Sequence, residues 1–270
     1  MNRHMRVFPT SGIAVAALTL GAAVPVSWAQ EPFGELSALI EINATDGDAG
    51  FHVLLDGDAW QRVTIADPGG KKIFNERANR SLREQGLTEN FFESAEPPCD
   101  PAEEDAVPLA EFLDRFETGE YHFSARTIEG GKLKGETTLT HSLPAAPDIS
   151  AFDGSSNVDP DNTVITWAAG TDLGGCQDDD LVTNGIIPDP GTVDVVRWEV
   201  VVEPNVEILV GPKRVFSVQL PPAETSVTVP SEFLNSYSAD GITEFKFEVG
   251  AKEASDNQTF SEGTFEINGL

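Results

Sequence analysis

Short runs of alternating apolar and polar residues, separated by glycine and Asp-Gly turns, limit this chain to strand-rich folds. In the first half such runs occupy residues 36–43, 50–55, 60–65 and 87–93. A period of two places the apolar residues of each run on one side of an extended strand. Short strands with a turn after each one are typical of an antiparallel β-sandwich, which we therefore predict for this half.

One segment breaks the alternation and predicts a short helix at about residues 108–116. Pro108 stands in its first turn, where a missing backbone donor costs nothing. Its apolar residues recur at the spacing of one helix face: Leu109, Phe112, Leu113 and Phe116. We interpret this helix as a structural bridge between two strands of the sandwich.

The run Leu143-Pro144-Ala145-Ala146-Pro147 divides the chain in two. Two prolines fix the backbone and favour extended geometry in the residues before them, which predicts a stiff strap. We therefore expect an N-terminal β-sandwich domain at 30–142, a strap at 143–147 and a second domain at 148–270.

The first 29 residues have the pattern of a signal peptide. Arg3 and Arg6 precede an apolar run from Gly12 to Val26, and Ser27 and Ala29 are the small residues of a cleavage site. Export to the periplasm or the extracellular medium is the expected consequence, and a retained membrane anchor is the alternative. We expect no membrane insertion once the signal is cleaved.

The chain is strongly acidic, with 45 acidic and 17 basic residues and a formal net charge of −28. Such a charge repels nucleic acid and anionic membrane surfaces, so neither is an expected partner. Solubility alone is a sufficient reason for it. The apolar content of 40% is enough for two small cores and argues against global disorder.

The second half resembles a fibronectin type III domain between Ala146 and Ile267. The resemblance is carried by four runs in the order that the family has them: Val164-Ile-Thr-Trp167, Arg197-Trp198-Glu-Val200-Val-Val202, Gly241-Ile-Thr-Glu-Phe245-Lys-Phe247-Glu-Val249-Gly-Ala251 and Phe260-Ser-Glu-Gly263-Thr-Phe265-Glu-Ile267. The resemblance implies a second β-sandwich, so the whole chain is expected to be all-β, with two tandem sandwiches of the immunoglobulin and fibronectin type III kind.

Three features depart from that family. Phe245 stands where the family often has tyrosine, so the hydroxyl bond of a tyrosine corner is not expected. A long insertion, about residues 168–194, separates the second and third strands. No Arg-Gly-Asp sequence occurs, so the family's adhesive motif cannot be assigned here.

Catalytic and cofactor motifs do not occur in the sequence, and we expect a protein that is not an enzyme and has no cofactor. A histidine-based zinc site is not expected either. Pairing Tyr121 with Leu139 in the hairpin after the helix points His122 outward and leaves His141 on the opposite face.

Two acidic loops are candidates for calcium binding, because hard cations bind clusters of carboxylate oxygens. The alternative is that both loops are simply solvated. The candidate ligands are Asp100, Glu103, Glu104 and Asp105 in the first loop and Asp178, Asp179 and Asp180 in the second.

Cys99 and Cys176 are the only cysteines, and an exported chain meets an oxidising environment. In tandem sandwiches both would lie in loops at the ends that the strap joins. We predict a disulfide across the joint, with two free thiols or an intermolecular bridge as alternatives.

These features favour a secreted or periplasmic, non-enzymatic binding or structural protein whose partner is an unidentified extracellular protein or polysaccharide. The alternative is an accessory carbohydrate-binding or hydrolase-associated module. An exposed row of tryptophan or tyrosine would favour that alternative.

Overall fold

The computed structural model describes residues 30–206, 212–238 and 240–268, so the predicted signal peptide lies outside the described residues. The elements of the first half are β1 (Gln30–Pro32), β2 (Glu35–Asn43), β3 (Asp48–Ala66), β4 (Lys72–Arg77), α1 (Arg80–Gln85), β5 (Leu87–Glu93), α2 (Leu109–Arg115), β6 (Gly119–Thr127) and β7 (Lys132–Leu139). Those of the second half are β8 (Ser155–Val158), β9 (Val164–Thr166), α3 (Asp179–Thr183), β10 (Arg197–Pro204), β11 (Phe216–Leu220), β12 (Ser226–Thr228), α4 (Ser231–Ser238), β13 (Glu244–Lys252) and β14 (Gln258–Ile267), with single 3-10 turns at Gly174–Cys176 and Pro190–Thr192.

The predicted all-β, sandwich-like fold is confirmed, and so is helix α2, whose Leu109, Phe112 and Leu113 are buried. The first half also contains the short helix α1, which was not predicted, and α3 and α4 lie in the second half. No helix among the described residues is long and apolar enough to cross a membrane.

Strand β3 corrects the prediction of two separate strands at 50–55 and 60–65. Its first part pairs with β2 and β5, and its last part pairs with β4 and β6, so one long strand makes the pairings that were expected of two. Gly57, expected in a turn, lies within the strand. A Cβ there would approach Leu133 Cδ1 to 3.2 Å and the Phe33 ring to 3.3 Å, and the pairing of β3 with β5 shifts its register between Asp56 and Trp60.

The hairpin of β6 and β7 forms as expected, but the predicted register differs from the observed one by two residues. Tyr121 pairs with Thr137 rather than Leu139, because the turn spans more residues and closes between the Thr127 N–H and the Gly131 carbonyl. A shift of two residues keeps every side chain on its predicted face.

The buried residues form two apolar cores. The first is built on Trp60, Phe51, Phe112 and Phe123, and the second on Trp198, Phe245, Phe247 and Phe265. Several residues of the 168–194 insertion belong to the first core, although the chain places them in the second half: Leu173, Cys176, Leu181 and Ile187. The insertion therefore fastens the two halves, which we call the first and second lobes.

The second lobe has the strands that the fibronectin-like runs predicted. Strands β11, β10, β13 and β14 form one sheet in that order, β8 lies beside β14, and β9 pairs with β12. Tyr237 at the end of α4 bonds to the backbone of Arg214 in both directions: its hydroxyl donates to the carbonyl at 2.7 Å and accepts from the N–H at 2.6 Å. Tyr237 thus holds the backbone at Arg214 by its hydroxyl, much as a tyrosine corner would, although Phe245 stands at the position where that tyrosine was expected.

The two lobes share one sheet. Strand β14 pairs in parallel with β2, with Gln258 opposite Glu41 and Phe260 opposite Asn43. The hydrogen-bonded order β5–β3–β2–β14–β13–β10–β11 is therefore continuous from one lobe to the other. One side of this sheet is a single surface that neither lobe has alone.

Candidate functional site

The joint between the lobes is crossed by the predicted disulfide between Cys99 and Cys176, which the structure contains. Both residues are buried, at 6% and 2% exposure. The Cys99 N–H donates to the Gly47 carbonyl and the Gly175 N–H donates to the Ala44 carbonyl, so backbone hydrogen bonds flank the bridge on both sides.

The strap is held against the insertion by its backbone. The Ala146 N–H donates to the Asp172 carbonyl at 2.8 Å, and the Ala145 N–H donates to the Pro190 carbonyl at 3.2 Å. Gly170 lies so close that a Cβ on it would stand 1.7 Å from the Ala146 oxygen. The prolines supply stiffness, and these contacts fix the direction of the strap.

Four of the predicted calcium ligands lie around one cavity of about 550 Å³ beside the disulfide: Asp100, Asp178, Asp179 and Asp180. Three of these carboxylates already accept a hydrogen bond from a residue nearby in the sequence. Asp178 caps α3 by accepting from the Asp180 N–H, Asp179 accepts from the Gln177 side chain, and Asp100 accepts from the Ala102 N–H.

The other three candidates, Glu103, Glu104 and Asp105, are exposed and do not line that cavity. In the part of the chain that the structure describes, none of the seven belongs to a group of three or more ligand atoms that lie within 4.8 Å of one another. Calcium binding by these loops stays a prediction.

A second cavity, of about 590 Å³, opens on the face of the shared sheet where the lobes meet. We call this surface the joint face and define it by the side chains of β2, β3 and β5 in the first lobe and of β10, β13 and β14 in the second. Alternation along paired strands brings these residues to one side. The sequence could not show this, because β2 and β14 are more than 200 residues apart.

The joint face contains apolar side chains at its centre and edge. Phe91 on β5 is 56% exposed, and Leu39 and Leu54 beside it are half-buried. Phe260 of β14 lies across Gly250, where a Cβ would approach its ring to 2.4 Å. The absence of a side chain at Gly250 therefore lets the ring lie flat on the sheet.

The charge of the joint face is negative. Six carboxylates and two cations line the cavity: Glu35, Glu41, Glu93, Glu199, Glu248 and Asp256 against Arg197 and Lys252. Both cations are paired, Lys252 with Glu199 at 2.6 Å and Arg197 with Asp256 at 3.1 Å. An excess of carboxylate charge remains.

Glu41 and His52 are titratable groups held inside the joint face. Burial raises the pKa of Glu41 to about 7, although its contact with the Gln258 amide opposes the rise. Burial lowers the pKa of His52 below its usual value, against the pull of Glu93 and Glu96. His52 is 4% exposed and lies edge-on to Phe91, with 6.0 Å between ring centroids.

The three histidines of the described chain lie in different surroundings. His52 contacts Glu41 and Glu96, and His122 lies between the exposed Glu120 and Glu136. His141 donates to the Phe116 carbonyl at 2.8 Å. Sequence reasoning compared the histidines only with one another and so missed the two His–Glu groups.

No protein-family model matches the chain, and no curated protein matches it. Among solved structures, it is similar to a biofilm-associated protein's BSP domain, with 14% identity over 87% of this chain and 29% of that structure and a TM-score of 0.22. It is also similar to a bacterial ice-binding adhesin, with 14% identity, 89% and 67% coverage and a TM-score of 0.24.

A third similarity is to the Ig1 domain of mouse SynCAM 2, with 15% identity, 38% and 93% coverage and a TM-score of 0.20. The chain spans less than a third of the biofilm-associated structure. At these TM-scores the similarities support no conclusion about function.

Proposed function

We propose that this protein is an exported, non-enzymatic binding module that presents the joint face to an extracellular protein. The observation that carries the proposal is the continuous sheet, since it turns two lobes into one recognition surface with a cavity at its centre. The parallel pairing of β2 with β14, the disulfide and the bonded strap fix the lobes relative to each other. A surface fixed in advance loses little conformational entropy on binding.

The chemistry of the joint face favours a basic partner with an exposed apolar residue. Phe91 is a large aromatic side chain open to solvent beside the cavity. Aromatic residues of this kind often anchor protein interfaces. The surplus of carboxylates attracts lysine and arginine on a partner and speeds association at low salt.

Polysaccharide binding is the second candidate, and the structure supports it less. Sugar-binding faces use exposed tryptophan or tyrosine, whereas every such residue in the described ranges is at most 4% exposed: Trp60, Trp167, Trp198, Tyr121 and Tyr237. Phe91 is the exposed aromatic side chain at the joint face.

The disulfide disfavours cysteine-based catalysis, since neither cysteine is a free nucleophile. We further propose that the lobes are domains at 30–142 and 148–270. The second is proposed to be fibronectin type III-like, which its strand order supports.

The test compares two single substitutions at side chains of similar exposure. Phe91→Ser removes the aromatic residue of the joint face, and Leu82→Ser removes a 54% exposed leucine on α1. Each immobilised protein is presented with the extracellular proteins and the insoluble polysaccharides of its source. We expect wild type and Leu82→Ser to retain the same protein, with retention lost for Phe91→Ser and weakened by salt.

Two results would overturn this proposal. Equal retention of the partner by both variants would mean that binding lies elsewhere. Retention of polysaccharide, and of no protein, would make the second candidate the function.

A further inference from the structure

Glu41, His52 and Glu96 bring three potential metal ligands together at the inner edge of the joint face. One imidazole nitrogen and one oxygen of each carboxylate lie within 4.8 Å of one another. His52 Nδ1 is 3.6 Å from Glu41 Oε2, and His52 Nε2 is 3.4 Å from Glu96 Oε1. These two contacts are made by different imidazole nitrogens. Neighbouring ligand atoms of a tetrahedral zinc ion are about 3.3 Å apart, so to bind one ion through a single nitrogen, one of the two carboxylates must move around the imidazole ring to that nitrogen.

The three residues come from different segments, which differ in freedom. Glu41 is on β2 and His52 on β3, two paired strands that hold their side chains on the same side of the sheet. Glu96 follows β5 and is the most exposed of the three, with 39% of its side chain accessible, against 5% for His52. An ion would therefore enter past Glu96 and meet two preplaced ligands.

Space for an ion exists because residue 50 is glycine. A Cβ at Gly50 would stand 2.9 Å from both His52 Nε2 and Glu96 Oε1. Two of the three atoms that would bind a metal thus lie beside a position that the Cβ of any other amino acid would fill.

Gln258 supplies an independent sign of an incomplete site. Its side-chain amide donates to Glu41, and the residue is only 7% exposed. Its Oε1 atom is buried and has no hydrogen-bond partner. A buried acceptor without a donor costs free energy, and a water bound to a metal would supply the donor.

The charge around the group also favours a cation. Glu93 lies close enough to His52 to act on its protonation, in addition to Glu41 and Glu96. The nearby Lys252 is already paired with Glu199. The presence of an imidazole favours a transition metal, since calcium and magnesium select oxygen ligands alone.

We propose that Glu41, His52 and Glu96 bind one zinc ion, with Gln258 orienting Glu41 and accepting a hydrogen bond from a metal-bound water. The site is distinct from the acidic loops predicted to bind calcium. Since Glu41 belongs to the strand that pairs with β14, zinc at this site stabilises the joint between the lobes.

The test is zinc titration of chelator-treated, disulfide-intact protein by calorimetry, with the melting temperature as a second readout. Wild type is expected to bind one tight equivalent and to melt at a higher temperature with zinc than with calcium. His52→Gln and Glu96→Gln are expected to weaken the tight equivalent at least tenfold. His122→Gln is the matched control, because it removes a histidine that also lies between two glutamates.

Gly50→Ala keeps every ligand and fills the space between them, so it is also expected to weaken zinc binding. Glu96→Gln and Gly50→Ala keep the test decisive if His52→Gln fails to fold. The proposal is overturned if wild type binds no stoichiometric zinc, if His122→Gln removes the tight equivalent, or if Glu96→Gln and Gly50→Ala both retain it.

Discussion

The side-chain oxygen of Asn257 accepts a hydrogen bond from the backbone N–H of Ile40 at 2.8 Å, across 217 residues of sequence. The amide of the same side chain donates to the carbonyls of Thr140 and Ser142, at 3.0 and 3.2 Å. Asn257 is fully buried, at 0% exposure. One side chain of the second lobe thus satisfies backbone groups of β2 and of the segment that leads into the strap.

Replacing Asn257 with alanine should destabilise the protein by about 2–4 kcal/mol, because it leaves several buried backbone groups without partners. Urea denaturation of both proteins measures the difference. The control is Asn75→Ala on β4, an exposed side chain with one surface hydrogen bond from Arg62, which should change the free energy of unfolding by less than about 0.5 kcal/mol. Equal effects of the two substitutions would contradict the role given to Asn257.

Reduction of the disulfide should lower the free energy of unfolding by about 4 kcal/mol, since the bridge closes a loop between residues separated by 77 positions. Urea denaturation of the wild type and of the Cys99→Ser, Cys176→Ser double variant measures this loss. Intact-mass analysis of alkylated protein should find no free thiol before reduction and two after it. Two alkylated thiols in the non-reduced monomer would refute the bridge.

Gly170→Ala should destabilise the protein by about 3 kcal/mol or more, since the new methyl group meets the backbone oxygen of Ala146 rather than a movable side chain. Gly69→Ala is the control, because a Cβ there meets only the Asp67 carboxylate at 3.4 Å. Thermal melts of the two variants should therefore differ clearly. A tolerated Gly170→Ala would mean that the strap can move away from the insertion.

The stability contribution of Asp48 should fall as the pH rises. Burial, with the nearby charges of Glu96, Asp46 and Glu262, raises its pKa from 3.8 to about 6. The folded state therefore binds this proton more tightly than the unfolded state, and its contribution is present below about pH 4 and lost through about pH 6.

Asp48→Asn has no charge to bury. The difference between its free energy of unfolding and that of wild type should therefore increase in favour of the variant between pH 4 and pH 7. Denaturation experiments with chelator present measure this difference. A difference that stays constant over this range would contradict the raised pKa.

Local patterns in the sequence predicted the local structure well. The spacing of Leu109, Phe112 and Leu113 identified α2, and the alternation in residues 244–252 identified β13. The turn after Ala66 and the hairpin of β6 and β7 followed from their glycines. In each case the residues that carry the pattern are those of the element itself, within a stretch of about ten residues.

Long-range pairing was not predictable in the same way. Nothing near Glu41 indicates that its neighbour is Gln258, and the group of Glu41, His52 and Glu96 has no characteristic spacing. The Asp56-Gly57 pair is a turn signal, yet Gly57 lies inside β3 beside Phe33 and Leu133, which are distant in sequence. The disulfide was predictable because two cysteines allow only one intramolecular pairing.

The position of the disulfide also determines how the protein responds to tension. A force applied between the two ends of the chain cannot extend the segment between Cys99 and Cys176, because the bridge carries the load past it. At about 3.4 Å per residue, those 77 positions withhold roughly 260 Å of contour length until the bond is reduced. Part of the first lobe, the strap and the first strands of the second lobe are therefore shielded from mechanical unfolding.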